Sequence, residues 1–112
     1  FDINLPGYKS MMGMQGGHAG EKMPKAQAIK DATMAYFINK NRKENSIFVH
    51  YNGTYHSDNY EGINWYLRKL DADIQIVTIA MVEQKDITKL EAEHYNKADF
   101  ILVIDEDVTK TY

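Results

Sequence analysis

Three apolar runs, Ile47-Phe48-Val49, Ile74 to Val82 and Phe100 to Ile104, are separated by stretches of helical composition, and this alternation constrains the fold more than any other feature. Strands that follow helices one for one predict parallel pairing with right-handed crossovers. The second and third runs are nearly unbroken in apolar residues, as strands covered on both faces tend to be. The reading is therefore α/β: a small parallel or mostly parallel sheet of about three strands with helices packed on it, and with edges open enough to make it part of a larger α/β domain.

The helical stretches differ in strength. Pro24 suits a first helical turn, and Lys25 to Asn39 is rich in Ala, Lys, Gln, Met and Ile, so a helix is expected to end near Asn41. Ala28, Ala32 and Ala35 give it a narrow side for close packing, while Gln27 and Asp31, at i and i+4, form a polar edge with Met34 one turn on. Ser57 or Asp58 is expected to cap a second helix, with Glu61 completing a capping box and Tyr60, Ile63, Leu67 and Leu70 making its buried stripe. Trp65 and Tyr66 fall off that stripe. A third, short helix is expected from Asp86 to about Tyr95, with Ile87 and Leu90 turned inward. Residues 1–23 carry five of the seven glycines and four of the six methionines, and read as a flexible loop segment preceding the α/β part at 24–112.

Composition removes several function classes. A formal charge of −3 with acids and bases interspersed supplies no basic stripe for nucleic acid. No apolar run approaches the roughly 18 residues of a membrane span. The absence of cysteine excludes disulfides, thiolate metal sites and cysteine nucleophiles. The chain opens at Phe1 rather than an initiator Met, so a processed or excised piece of a longer chain is expected.

In open parallel sheets ligands bind beyond the carboxyl ends of the strands. That rule selects Asn52-Gly53-Thr54-Tyr55-His56, Glu83-Gln84-Lys85-Asp86 and Asp105-Glu106-Asp107. Gly53 is expected to permit a tight turn or close ligand approach, with His56 projecting beside it toward the sheet's rim. Imidazole beside carboxylates fits a divalent metal or general-base work on water, and His56 with Glu83 is the pair that would hold such a metal. Imidazole or phenolate alone also fits haem iron, for which both His and Tyr serve as axial ligands. His50 reads as a structural residue and His94 as a solvated one. No Gly-x-Ser-x-Gly elbow, phosphate loop or His-Glu-x-x-His motif is present.

The run Ala26-Gln27-Ala28-Ile29-Lys30-Asp31-Ala32-Thr33-Met34-Ala35 resembles the "AQ, then D-x-x-MA" helix of ChaN-like haem-binding proteins, bacterial iron-regulated lipoproteins within the wider Tiki/TraB/erythromycin-esterase superfamily. Asn52-Gly53-Thr54-Tyr55-His56 resembles that superfamily's Gly-x-x-His loop, followed by Gly62 and a helix, and Leu5-Pro6-Gly7-Tyr8 resembles a segment upstream of the first motif. The resemblance implies an α/β, envelope-associated, haem-binding domain that takes part in iron acquisition and acts as a dimer enclosing the cofactor; haem binding without turnover is the leading reading. It carries Gln27, Asp31, Met34, Gly53 and His56 over by position, and it implies Tyr55, His56, Tyr51 or His18 as the ligand to the iron. It also implies a missing amino-terminal half whose acidic segment would face the Gly-x-x-His loop. Because related superfamily members are enzymes, a metal-dependent hydrolase of peptidase or esterase type is the alternative, and a non-catalytic interaction domain the third reading.

Overall fold

The computed structural model describes residues 1–13 and 20–111, so His18 lies outside the described residues. Three α-helices lead into a two-stranded parallel sheet: α1 (Pro6–Met11), α2 (Lys22–Asn41), α3 (Ile63–Leu70), β1 (Ile79–Gln84) and β2 (Phe100–Asp105). The α/β class and the parallel pairing are as expected. Register runs from Ile79 opposite Phe100 to Gln84 opposite Asp105.

Helix α2 has its proline in the first turn, as expected, and buries Ala28, Asp31, Ala35 and Ile38 along one side. Helix α3 lies against it: Ala35 and Ile38 of α2 meet Ile63 and Leu67 of α3, with Met34, Ile74 and Ile76 closing the cluster. The Arg42 guanidinium donates to the Asp71 carboxylate and ties the carboxyl ends of the two helices together. A second cluster joins Tyr8 and Met11 of α1 to Ala28 of α2, and Tyr66 packs against both clusters.

Four expectations are corrected. The stretch expected as loop at 1–23 contains α1, a helix short enough to depend on tertiary contacts: Tyr8 and Met11 are buried, and the Gly7 amide donates to Glu61 Oε2 at 2.7 Å. Glu61 is thereby used on α1 and makes no capping box, and Gly62, with φ +57°, is the residue that starts α3. The helix expected from Asp86 to Tyr95 is absent apart from a single 3₁₀ turn at Ala92–His94. Buried Gln84 takes over the groups that helix would need, its amide nitrogen donating to the carbonyls of Asp86 (2.7 Å) and Lys89 (2.8 Å) while its oxygen accepts from the Glu91 amide (2.9 Å).

The last correction concerns the sheet. Ser46 to Tyr51, expected as its opening strand, pairs with neither β1 nor β2. Nor is β1 covered on both faces: Ala80, Val82 and Gln84 are buried, whereas Ile79, Met81 and Glu83 are exposed. At the start of the sheet the Asp99 carboxylate accepts from the Thr78 amide (2.8 Å) and hydroxyl (3.2 Å), and the Asp99 amide donates back to the Thr78 hydroxyl (3.0 Å). Among the described residues no helix is long and apolar enough to cross a membrane.

Candidate functional site

Asp31 stands on the face of α2 turned toward α1 and α3, with none of its surface exposed. A buried carboxylate is costly unless its oxygens are filled, and both are. Oδ2 accepts from the Tyr8 hydroxyl at 2.6 Å, and Oδ1 lies 2.5 Å from His56 Nδ1. Three segments distant in sequence, α1, α2 and the Gly-x-x-His loop, thus meet on one side chain.

The loop is built to hold His56 there. A 3₁₀ turn spans Thr54–His56, with the His56 amide donating to the Gly53 carbonyl at 3.0 Å. Asn52 Nδ2 donates to Gly53 O and Ser57 Oγ, each at 2.9 Å, and buried Asn64 of α3 donates to the Ser57 carbonyl at 3.1 Å. Gly62 completes the packing. A Cβ at that position would fall 2.3 Å from the His56 carbonyl oxygen and 3.3 Å from Asp31 Oδ2, so only glycine lets α3 start this close to the pair. Gly53 has no such duty, since its φ of −68° is open to any residue and a Cβ there would meet only the His56 ring, at 3.9 Å.

Gln27 Nε2 lies 2.8 Å from the same His56 Nδ1. One ring nitrogen cannot donate to Asp31 and accept from an amide at once. The carboxylate is the stronger acceptor, so Nδ1 carries the proton, and the Gln27 amide nitrogen finds its acceptor in the other ring nitrogen, Nε2, 3.5 Å away. Nε2 then holds the lone pair of the ring, with only this long amide contact on it, on a side chain that keeps 20% of its surface exposed. A carboxylate behind an imidazole fixes the ring's tautomer and orientation in just this way. Chemically, the arrangement offers a ligand to a metal ion or a base to a proton.

Two tyrosines stand behind the pair. Burial, and then the hydrogen bond to Asp31, push the Tyr8 phenol far above the ordinary tyrosine range; burial also raises Tyr66. Tyr8 therefore serves as a permanent donor to Asp31. A cleft of about 190 Å³ opens beside it, lined by Tyr8, Met11, Tyr55, Asp58, Gly62 and Lys97 among others. Asp58 is held above the usual carboxylate range by burial, against the opposing charge of Lys97 at 3.8 Å.

The structure gathers Gln27, Asp31 and His56 into one group and puts Tyr55 on the adjoining cleft. His56 does not project to the sheet's rim: it turns onto α2. Asp31 has no surface of its own and acts through His56. Tyr51 is 90% exposed and lines neither this cleft nor the pair. Glu83 pairs with Lys110 at 2.9 Å, not with His56. His94, expected as solvated, is partly buried and takes a donor from Lys97 at 3.4 Å. With Glu91 and Glu93 it forms the only group of three metal-type ligands among the described residues, within 4.8 Å of one another, the two acids being exposed. Tyr8 and Gly62 are the site residues that sequence reasoning left without a role, although both lay within the resemblance, and Glu61 serves α1 rather than the capping box expected of it.

No curated protein matches the chain. No solved structure matches it either. A protein-family model described as haem-binding uptake, Tiki superfamily, ChaN, matches residues 5–67, a span holding Tyr8, Gln27, Asp31, His56 and Gly62 and more than half of the chain. The chain is a member of that ChaN family of haem-binding uptake proteins in the Tiki superfamily.

Proposed function

We propose that this chain binds haem, with His56 Nε2 as the group that meets the iron and Asp31 as the residue that presents it. The observation that carries the reading is the Asp31–His56 contact of 2.5 Å, buried on the carboxylate side and partly open on the imidazole side. The donor chemistry fits: neutral imidazole with a carboxylate behind it is a strong nitrogen ligand for iron. Tyr55, 66% exposed on the adjoining cleft, is the second candidate donor. The enclosed space fits only in part. The cleft of about 190 Å³ is below the roughly 300–1,000 Å³ of ordinary ligand pockets and His56 is not among its lining residues, so a porphyrin held by His56 would need another polypeptide surface to cover it. A second copy, or further chain of the same domain, is what this reading supplies there.

Bound haem would supply the iron chemistry; the chain's own residues hold, orient and shield. Asp31 fixes the imidazole, Gln27 flanks it, and Tyr8 holds the carboxylate in place. No enzymatic step is needed; the family description gives haem-binding uptake, and bacterial haem or iron acquisition at the cell envelope is the role this reading adds to it. Titration of haemin into the protein should shift the Soret band, with affinity reduced at least about tenfold in His56→Ala. A smaller loss is expected in Tyr55→Phe. No shift in the parent protein removes the reading.

A hydrolase reading draws on the same contact, because a carboxylate-backed imidazole also binds divalent metals or takes a proton from water. It requires chelator-sensitive peptidase or esterase activity that His56→Ala abolishes.

A further inference from the structure

Asp31 is the one charged side chain that is fully buried among the described residues, and it stands directly behind the imidazole. Both its oxygens accept: Oδ2 from the Tyr8 hydroxyl at 2.6 Å, and Oδ1 from His56 Nδ1 at 2.5 Å. Among the described residues its only ion-pair partner is that imidazole, so no lysine or arginine stands within ion-pair distance to offset its charge. Wherever the shared proton lies between Oδ1 and Nδ1, the pair carries one net negative charge, and on the Asp31 side water does not reach it to screen it. Haem iron exists in two oxidation states, ferric and ferrous, and the ferric one carries one more positive charge. A negative charge held behind the ligand therefore favours it.

We propose that the site selects ferric over ferrous haem, with Asp31 setting the preference through His56 and Tyr8 moderating it. The proposal rests on the haem reading above and goes beyond it, since an imidazole ligand by itself serves either oxidation state. Three features carry it. First, a carboxylate on the surface would act through water and salt, whereas this one acts through the interior, where charges are screened much less. Second, the contact is direct: the hydrogen bond to Nδ1 puts the charge against the same ring that offers Nε2. Third, the Tyr8 phenol, which burial and then Asp31 hold far above the ordinary tyrosine range, stays a donor and draws part of the carboxylate's charge toward Oδ2, away from the ring. Asp31 is thus a positioning residue whose charge, and not its shape alone, reaches the iron. Affinity and potential are linked, so that tenfold tighter ferric binding lowers the one-electron potential of the bound iron by about 59 mV relative to the free porphyrin. One electron from an external donor, with the porphyrin and its protein ligand unchanged, loosens the hold by the same factor.

Anaerobic titrations with haemin, and with haemin reduced by dithionite, should show ferric binding at least about tenfold tighter than ferrous binding in the unmodified protein. Because the charge is buried, that ratio should be the same at about 0.1 M and about 1 M salt. In Asp31→Asn, which keeps the shape and removes the charge, it should fall to within about threefold. In Tyr8→Phe, which leaves the carboxylate its full charge beside the ring, it should exceed the parent's. Spectroelectrochemistry of the bound haem reads the same changes as potentials, which a packing defect that weakens both oxidation states alike does not move. Equal affinities in the unmodified protein, a ratio lost at high salt, a ratio unchanged in Asp31→Asn, or a Tyr8→Phe change in the same direction as Asp31→Asn would each overturn the proposal. The first two need no variant and so decide the case should either variant fail to fold. The haem reading survives all four, since it asks only for the Soret shift; absence of that shift with haemin removes both.

Discussion

Asp31 has two oxygens, no exposed surface and two partners from opposite directions, Tyr8 and His56. Changing it therefore separates geometry from charge. Asp31→Asn keeps the shape but offers one acceptor where there were two, so either the imidazole or the phenol loses its partner. Haemin affinity measured by absorbance titration should fall about 10- to 100-fold although Asp31 touches no ligand. Unchanged affinity would make Asp31 a packing residue only. Gly62 is the complementary case. At φ +57° with the His56 carbonyl 2.3 Å from where a Cβ would sit, Gly62→Ala should cost at least about 2 kcal/mol of unfolding free energy in urea melts, and should shift the His56 resonances. At this scale Gln27, Asp31 and His56 were legible, because i, i+4 spacing puts two polar groups on one helix edge and the loop motif names the third. Tyr8 was not, because its role depends on a helix that Gly- and Met-rich composition conceals.

Among the elements, α2 and α3 form the larger of the two buried apolar clusters. Leu67 stands at their centre, 5% exposed among Ala35, Ile38 and Ile63, so Leu67→Ala should lower stability by about 2–5 kcal/mol, read from the urea midpoint at constant slope. A smaller effect would mean that the helices repack. The ends of the elements set the response to acid. The Arg42 guanidinium holds Asp71 below its ordinary value of 3.8, and the Thr78 amide does the same for Asp99. A carboxyl depressed in the folded state contributes stability above its unfolded value and loses it as pH falls through the folded one. Stability should thus decline below about pH 4, and less steeply in Asp71→Asn, the parent and variant converging at low pH. Helix α2 was readable because its composition and Pro24 agree with its packing. The 86–95 stretch was misread because a buried glutamine, which local propensity does not register, claims the carbonyls a helix needs.

The whole molecule is open for its length. Its radius of gyration is 15.7 Å, against about 13 Å for a compact chain of 100 residues, and apolar side chains at Ile47, Val77, Ile79, Met81, Phe100 and Leu102 face outward. The sequence marks these residues as strand material, and it does so correctly for Ile79, Met81, Phe100 and Leu102. What it cannot mark is the partner: strand pairing is a tertiary property, and the alternation that signals a sheet says nothing of which edges meet. The family match ends at residue 67, so it covers α1, α2, the His56 loop and α3 as far as Leu67, and leaves the sheet to be read from its own register. The molecule is accordingly a helical cradle for one histidine, attached to a sheet with one face bare.

The presentation of His56 can be observed directly in a long-range proton–nitrogen correlation spectrum of the protein, recorded before and after addition of a diamagnetic metalloporphyrin. A proton on Nδ1, a bare Nε2, and displacement of the Nε2 signal on addition are the expected results. A proton on Nε2, or an Nε2 signal that the porphyrin leaves in place, would contradict the assignment of His56 as the ligand that Asp31 presents.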